Sequence, residues 1–345
     1  MIRRGLVDDK LGIKYGAGGR AMRALIERVC LAGLGPAPVD GIGLSAMDDG
    51  AAIRVGNQWL VITTDSHVVH PRVFPGGDIG RLAVSGTVND LAMMGATRPL
   101  ALTCAIILEE GFAREDLAQV YASIRTACDE AGTTVVTGDT KVMGRGELDG
   151  LVINTAGVAF CDRVVPDCGL APGDVLILTG TVGDHGMAIM AARHNLALEG
   201  DLRSDVAPIN TLIRAALDAG GADVVAMKDP TRGGVASALH EMAEKSRVGI
   251  LVDEPSVRVR AEVRAACDLL GIDPLAVANE GKAVIGVRAA AADRVLDALR
   301  GHALGREAAV VGRCIADHAG AVILDTGLGR RMLAEPEGEL LPRIC

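Results

Sequence analysis

Residues 99–141 read PLALTCAIILEEGFAREDLAQVYASIRTACDEAGTTVVTGDTK, and the alternation within this stretch sets the fold class. The run from Pro99 to Leu108 is apolar but far shorter than the ~20 residues a membrane-spanning helix needs, so it reads as a buried strand. From Arg114 to Ala131, the residues Leu117, Val120, Tyr121, Ile124, Ala127, Cys128 and Ala131 recur at helical spacing and form one apolar stripe. Gly132 ends that helix, and Thr134 to Thr137 reads as a second strand. Beyond it comes Gly138-Asp139-Thr140-Lys141. Alternate residues of an extended chain share a face, so Asp139 and Lys141 project together, and Gly138 permits close backbone approach. A surface ion pair is the plainer reading of the same two residues.

Working outward, further strands are expected at Leu60 to Thr64, Leu151 to Phe160, Val175 to Thr179, Ile250 to Val252, Ala283 to Val287 and Ala321 to Leu324. Strands alternating with amphipathic helices make an α/β (α+β) chain. The Pro- and Gly-containing stretch from Asp162 to Asp174 interrupts the pattern and is the expected domain boundary. This gives an N-terminal domain over 1–160, a C-terminal α+β domain over 161–334 and a flexible tail over 335–345.

The chain has 345 residues, 49% hydrophobic and 23% charged, which is a globular composition with room for two cores. Its formal charge of -9 opposes nucleic-acid phosphates and anionic membranes, so neither is an expected partner. The N-terminus lacks the apolar run of a signal peptide, so a cytoplasmic protein is expected. The eight cysteines form no CxxC pair, so they read as small core residues rather than zinc or redox ligands.

Carboxylates stand at the ends of apolar or Gly-rich elements: Asp48 and Asp49, Asp65, Asp90, Asp139 and Asp229. Each alone is an ordinary turn or helix cap. As a set they suit Mg²⁺, which bridges carboxylates to substrate phosphates and would let an acidic protein hold ATP. Two turns, Gly183-Asp184-His185-Gly186 and Asp229-Pro230-Thr231-Arg232-Gly233-Gly234, lead into helices whose free N–H groups accept anions, with the Arg232 guanidinium beside the second. His185 is a base or a satisfied structural histidine. Lys14 to Arg20 lacks phosphate-loop spacing and reads as a mobile flap. The chain stops on Cys345 after a Pro- and Gly-containing segment, and Gly338 to Cys345 would reach roughly 25 Å if extended. A thiol so placed is a chemical handle.

Taken together, Asp48-Asp49-Gly50-Ala51, Thr64-Asp65-Ser66-His67, Phe74 to Gly80, Gly86-Thr87-Val88-Asn89-Asp90-Leu91, Val136 to Lys141, Gly183 to Gly186, Asp229 to Gly234, Asn279-Glu280-Gly281-Lys282 and the final Pro342-Arg343-Ile344-Cys345 resemble the HypE family of hydrogenase maturation proteins. That family lies within the wider group of PurM-like aminoimidazole ribonucleotide and selenophosphate synthetases. The resemblance runs nearly end to end, and the terminal motif is its specific part. Tyr15 departs from it, standing where a His is expected.

The resemblance implies a PurM-like two-domain architecture, with a mixed N-terminal sheet and helices that dimerise. It implies a homodimer holding MgATP, a carbamoyltransferase partner HypF that loads Cys345, dehydration of the thiocarboxamide to thiocyanate, and delivery to iron on the HypC and HypD complex. The implied metal and phosphate-side carboxylates are Asp48, Asp65, Asp90, Asp139 and Asp229, with Asn89 and Gly138 at the nucleotide. Lys141 and Arg232 would stabilise the transferred phosphoryl, and Glu280 would be the base toward the carbamoyl nitrogen. The alternatives are a carrier that ferries the group on Cys345 without ATP turnover, or another amide-oxygen-phosphorylating synthetase. A selenophosphate synthetase would need a reactive Cys near Lys14 to Arg20, which has none.

Overall fold

The computed structural model describes residues 7–16, 18–35, 39–196, 200–336 and 344. Among the described residues, apolar side chains alternating along the strands, with Gly and Pro between them, resolve into two large sheets and a two-stranded ribbon, Val73–Phe74 with Gly77–Asp78. The first has six strands in the order Gly41–Ile42, Ala51–Val55, Gln58–His67, Leu151–Cys161, Pro99–Glu109 and Val135–Met143. Only its last two strands run parallel, and they are joined through the helix Arg114–Ala131, which covers the residues the apolar spacing marks. Gly132 closes that helix at φ 71°, in the left-handed region that favours glycine.

The first sheet is covered on one face. Its inward residues, among them Val61, Leu102, Ile106, Ile153 and Ala159, pack under the helices Ile79–Met93 and Arg114–Ala131. The other face, with Leu60, Ile62, Val158 and a 40% exposed Phe160, is open. Val135–Met143 is its edge strand. A Cβ at Gly138 would come within 2.1 Å of the Cys104 carbonyl oxygen, so the close approach this glycine allows is strand to strand.

The second sheet has seven strands in the order Val224–Lys228, Val284–Val287, Val175–Leu178, Ala309–Ile315, Gly249–Asp253, Val322–Asp325 and Arg330–Met332. The helices Asp184–His194 and Gly234–Ser246 both follow glycines in the left-handed region, Gly183 at φ 83° and Gly233 at φ 79°. One apolar cluster spans both halves, joining Ile79, Leu82 and Ile153 to Met187, Ile189, Val263 and Val277, so the two sheets share a core across their boundary.

Two features differ from expectation. The N-terminal segment lies on the second half rather than the first: Gly18 sits against the Arg232 backbone, Arg23 Nη1 bonds Glu244 at 2.8 Å, and the Arg20 amide donates to the Pro336 carbonyl at 3.4 Å. Gly18 and Gly19, at the start of the helix Gly19–Leu25, therefore lie against the Arg232 and Pro336 backbones, so this part of the segment is packed rather than a free flap. The start of the tail is held as well. Glu335 is paired with Arg23 and, at 3.6 Å, with Arg20, and Ile344 is 6% exposed within the shared core. Cys345 lies outside the described residues. Among the described cysteines none is bridged, and Cys104, Cys128, Cys267 and Cys314 are core residues.

Candidate active site

The junction of the two sheets gathers carboxylates from separate elements. Asp65 comes from the strand Gln58–His67, Asp90 from the helix Ile79–Met93, Asp49 from the turn before Ala51–Val55, Asp229 from the end of Val224–Lys228, and Glu280 from the segment before Val284–Val287. Their mutual field shows in their proton affinities. Burial first, then Asp229, Asp65 and Asp49, raises the Asp90 carboxyl well above its ordinary range, while the Thr63 hydroxyl donates to Asp90 Oδ2 at 2.8 Å. Burial and the Asp49 and Asp65 charges push Asp229 up to about 8, against the pull of Lys228 and Arg232. Glu280 is 3% exposed and is raised well above the carboxylate range by burial, Asp229, Asp65 and Asp205, with Arg232 opposing. Its Oε1 has no hydrogen-bond partner.

Arg232 thus stands in the field of Glu280, Asp229 and His67. Of the adjacent pair Asp48 and Asp49, it is Asp49 that faces Asp90 and Asp229; Asp48 turns to Asp167, whose amide donates to its Oδ2 at 3.3 Å. Burial and the Asp167 and Asp49 charges push Asp48 up to about 7. Asn89 is no open ligand either. Its Nδ2 donates to the carbonyls of Ala207 and Glu280, both at 3.1 Å, and its Oδ1 accepts from Ile209 N–H at 2.8 Å. Asn89 therefore clips the first half to the second and fixes the Glu280 backbone.

Asp139 and Lys141 are not brought to this cluster within one chain. Asp65 lies in one cross-strand row with Thr155, Cys104 and Gly138, and Thr155 bonds the covering helix through Thr87 and Ala83. One residue beyond Gly138, Asp139 emerges on the opposite, open face. There it sits 3.6 Å from Lys141, both about 70% exposed, which is the surface ion pair of the plainer reading. Among the described residues no three His, Cys, Asp or Glu side chains form a ready metal-ligand set, and within one chain Asp139 stands apart from Asp65, Asp90 and Asp229. What the cluster does present is crowded carboxyl groups that burial and mutual repulsion drive toward their protonated forms, including a buried Asp49 Oδ2 without a hydrogen-bond partner.

Lys228, Asp167, Glu241, Lys245 and Asp205 build the frame of the site and were not singled out from the sequence. Lys228 Nζ contacts Asp49 Oδ1 at 2.6 Å, Glu241 at 3.3 Å and Asp167 at 3.6 Å, and Lys245 closes on Asp167 at 2.5 Å. Burial works against the Lys228 charge, but these carboxylates outweigh it and hold the ammonium well above its ordinary range. Asp205 accepts from the Glu280 N–H at 3.1 Å and pairs with Lys282 at 3.2 Å. The Lys228-Asp229-Pro230 run was the available signal, since a cation beside an expected functional carboxylate needs a partner.

The raised carboxyls set a pH dependence. Asp229, at about 8 when folded against about 4 unfolded, keeps a proton in the folded protein that the unfolded chain has lost. Its contribution is full below pH ~4 and disappears as pH rises through about 8, so stability falls over that window. In thermal melts of the ligand-free protein from pH 5 to 8, Asp229→Asn is expected to flatten the decline. Identical pH slopes for variant and wild type would contradict this electrostatic account.

Comparison with known proteins fits this geometry. The AIR synthase related protein N-terminal domain model matches residues 47–161, and the C-terminal domain model of the same family matches 171–325. Carbamoyl dehydratase HypE of Rhizobium leguminosarum bv. viciae is 45% identical over 348 residues, covering 99% of this chain and 96% of that protein. The crystal structure of a HypE–HypF complex contains a chain 41% identical with TM-score 0.84, covering 91% of this chain and all of that one. A hydrogenase maturation protein HypE crystallised in complex with ATP is 40% identical with TM-score 0.80, covering 97% and 100%. With two matching domain models, near full-length identity and a shared two-sheet fold, the chain belongs to the HypE carbamoyl dehydratase family.

Proposed function

We propose that this protein uses ATP to dehydrate an S-carbamoyl group carried on Cys345, giving the thiocyanate that supplies cyanide to iron in NiFe hydrogenase maturation. The observation that carries the reading is a single frame joining the tail to the cluster. Ile344, the residue before Cys345, is buried against His185, and the segment containing Ser204 and Asp205 holds both His185 and the Glu280 backbone. The residue before Cys345 and the backbone of Glu280, whose Oε1 lacks a hydrogen-bond partner, are thereby held by one segment.

The chemistry follows from the leaving group. A carbamoyl oxygen leaves poorly. Its attack on the terminal phosphorus of ATP forms an O–P bond, breaks the bond to ADP and turns that oxygen into part of a phosphate. Cleavage of the C–O bond, with loss of the nitrogen protons, leaves C≡N on sulfur, with ADP, inorganic phosphate and one net proton as the other products. Glu280 is the acceptor for the nitrogen proton: burial, then the Asp229, Asp65 and Asp205 charges, strengthen its hold on a proton. Arg232 lies on the phosphate side. Magnesium, when bound, would neutralise phosphate charge; Asp49, Asp65, Asp90 and Asp229 are the carboxylates on that side, which are not gathered into a ligand set without the nucleotide, with Asp49 standing in for Asp48 and Asp139 apart from the four within one chain.

The open face of the first sheet supports a homodimer paired through these sheets, and in that arrangement Asp139 and Lys141 act across the interface. HypF as carbamoyl donor, the HypC and HypD complex as acceptor, and a cytoplasmic location complete the reading; among the described residues no helix is long and apolar enough to cross a membrane. Mass spectrometry of the C-terminal peptide, after loading by the carbamoyl donor system, tests it. Loss of one water only when ATP is present is the expected result. A carbamoyl group that persists with ATP would favour the carrier alternative, and loss without ATP would contradict the ATP-dependent step.

A further inference from the structure

We propose that His185 is a positioning residue that seats the Ile344 carbonyl, one residue short of Cys345 in sequence, and that Ser204 sets the tautomer in which it does so. This rests on the reading above only in what the seating is for. The geometry is independent of it. His185 Nε2 lies 2.9 Å from the Ile344 carbonyl oxygen, and Nδ1 lies 2.7 Å from Ser204 Oγ.

A carbonyl oxygen can only accept, so Nε2 carries the hydrogen. Burial lowers the proton affinity of the ring and keeps it neutral, which leaves Nδ1 as an acceptor for the Ser204 hydroxyl hydrogen. Ser204 Oγ in turn accepts from the Val206 N–H at 3.0 Å, and the Ser204 N–H donates to the Pro75 carbonyl at 2.8 Å. The relay runs in one direction: Val206 N–H to Ser204, Ser204 O–H to His185, His185 N–H to the tail. Each member has one arrangement that satisfies it.

Packing fixes the ring as firmly as bonding. His185 is fully buried in the first turn of the helix Asp184–His194, and Phe74 meets it edge-on at 5.6 Å between centroids and 89° between planes. Phe74, Val206 and Ile344 share one apolar cluster, so the tail residue is gripped through both its side chain and its carbonyl. Between Ser204 and Val206 stands Asp205, which accepts from the Glu280 N–H. The anchor of the tail and the backbone of the proposed base thus hang on three consecutive residues. A satisfied structural histidine would explain the burial, but it gives no reason for both ring nitrogens to connect the tail to the segment that holds Glu280.

The test compares His185→Ala, His185→Gln and Ser204→Ala in the full-length protein. The first readout is release of the last two residues by carboxypeptidase under native conditions, which needs no ATP and no carbamoyl group. Release is expected to quicken about three- to tenfold in His185→Ala, the range one buried hydrogen bond supports. It should quicken in Ser204→Ala too, where the tautomer is no longer imposed, and stay near wild type in His185→Gln, whose amide can still donate. The second readout is single-turnover dehydration of preloaded protein, expected to slow in His185→Ala and Ser204→Ala and recover in His185→Gln, with ATP affinity unchanged in all three. Wild-type release rates in a folded His185→Ala, or in Ser204→Ala if the first does not fold, would overturn the proposal. Failure of wild-type protein to dehydrate at all would instead sink the functional reading and leave the protease result to decide the seating.

Discussion

Glu280→Gln is expected to slow conversion of an S-carbamoyl group on Cys345 by a factor of about 10² to 10⁴, the contribution a positioned proton acceptor makes. Gln keeps the volume and removes the basicity. The backbone contacts that hold position 280, from Asn89 to its carbonyl and from its amide to Asp205, do not involve the side chain, so the variant should fold and bind ATP as the parent does. The side chain is also an isolated buried acid whose Oε1 lacks a partner, and replacing it with a neutral amide relieves repulsion from Asp229, Asp65 and Asp205. The variant should therefore melt no lower than wild type while its single-turnover rate collapses. A rate within threefold of wild type would remove Glu280 from the mechanism.

The largest effect on stability is expected at Lys228. Among the described residues, Lys228→Met removes the one cation paired with Asp49 and leaves Asp167 with Lys245 alone. Breaking a buried pair by deleting one partner costs about 3 to 5 kcal/mol, because the remaining charge stays out of water unpaired. Denaturant unfolding should report a loss of that size, and Asp49→Asn in the same chain should recover part of it, since the two side chains are coupled. A loss below about 1 kcal/mol would show that the network is solvated enough to be dispensable. The bridge joins Asp49 of the first half to Lys228, Asp167 and Glu241 beyond it, so its loss should also loosen the junction where the carboxylates meet.

Much of the fold was legible because local signals agreed. The stripe from Leu117 to Ala131 and its Gly132 stop mark a helix whose ends match the structure, and Leu151 to Phe160 falls within the strand Leu151–Cys161. Ala309–Ile315 was missed because Gly312 interrupts its apolar run; there the strand shifts register between Val310 and Gly312, and the glycine lets the Leu251 carbonyl approach. Val224–Lys228 was missed because it is short and ends on the lysine whose partners are distant in sequence.

At the site, the sequence marks which carboxylates matter better than where they point. Asp65, Asp90 and Asp229 do converge, as placement at element ends suggested, and Glu280, named only through the resemblance, stands in the field of Asp65 and Asp229. Asp139 does not, because its face depends on register across three neighbouring strands, and one residue of pleat separates it from Gly138 in the Asp65 row. Asp48 and Asp49 adjoin, and only tertiary contact with Lys228 selects the second. Ser204 and Asp205 lie in a stretch without regular structure, where no periodicity exists to draw attention to them.

The central claim is that ATP activates the carbamoyl oxygen itself. Carbamoylating Cys345 with a donor labelled with heavy oxygen in its carbonyl, then adding unlabelled ATP in unlabelled water, follows that atom directly. The account predicts one heavy oxygen in each inorganic phosphate released with thiocyanate. Thiocyanate formed with unlabelled phosphate, and the heavy oxygen found in water, would contradict it.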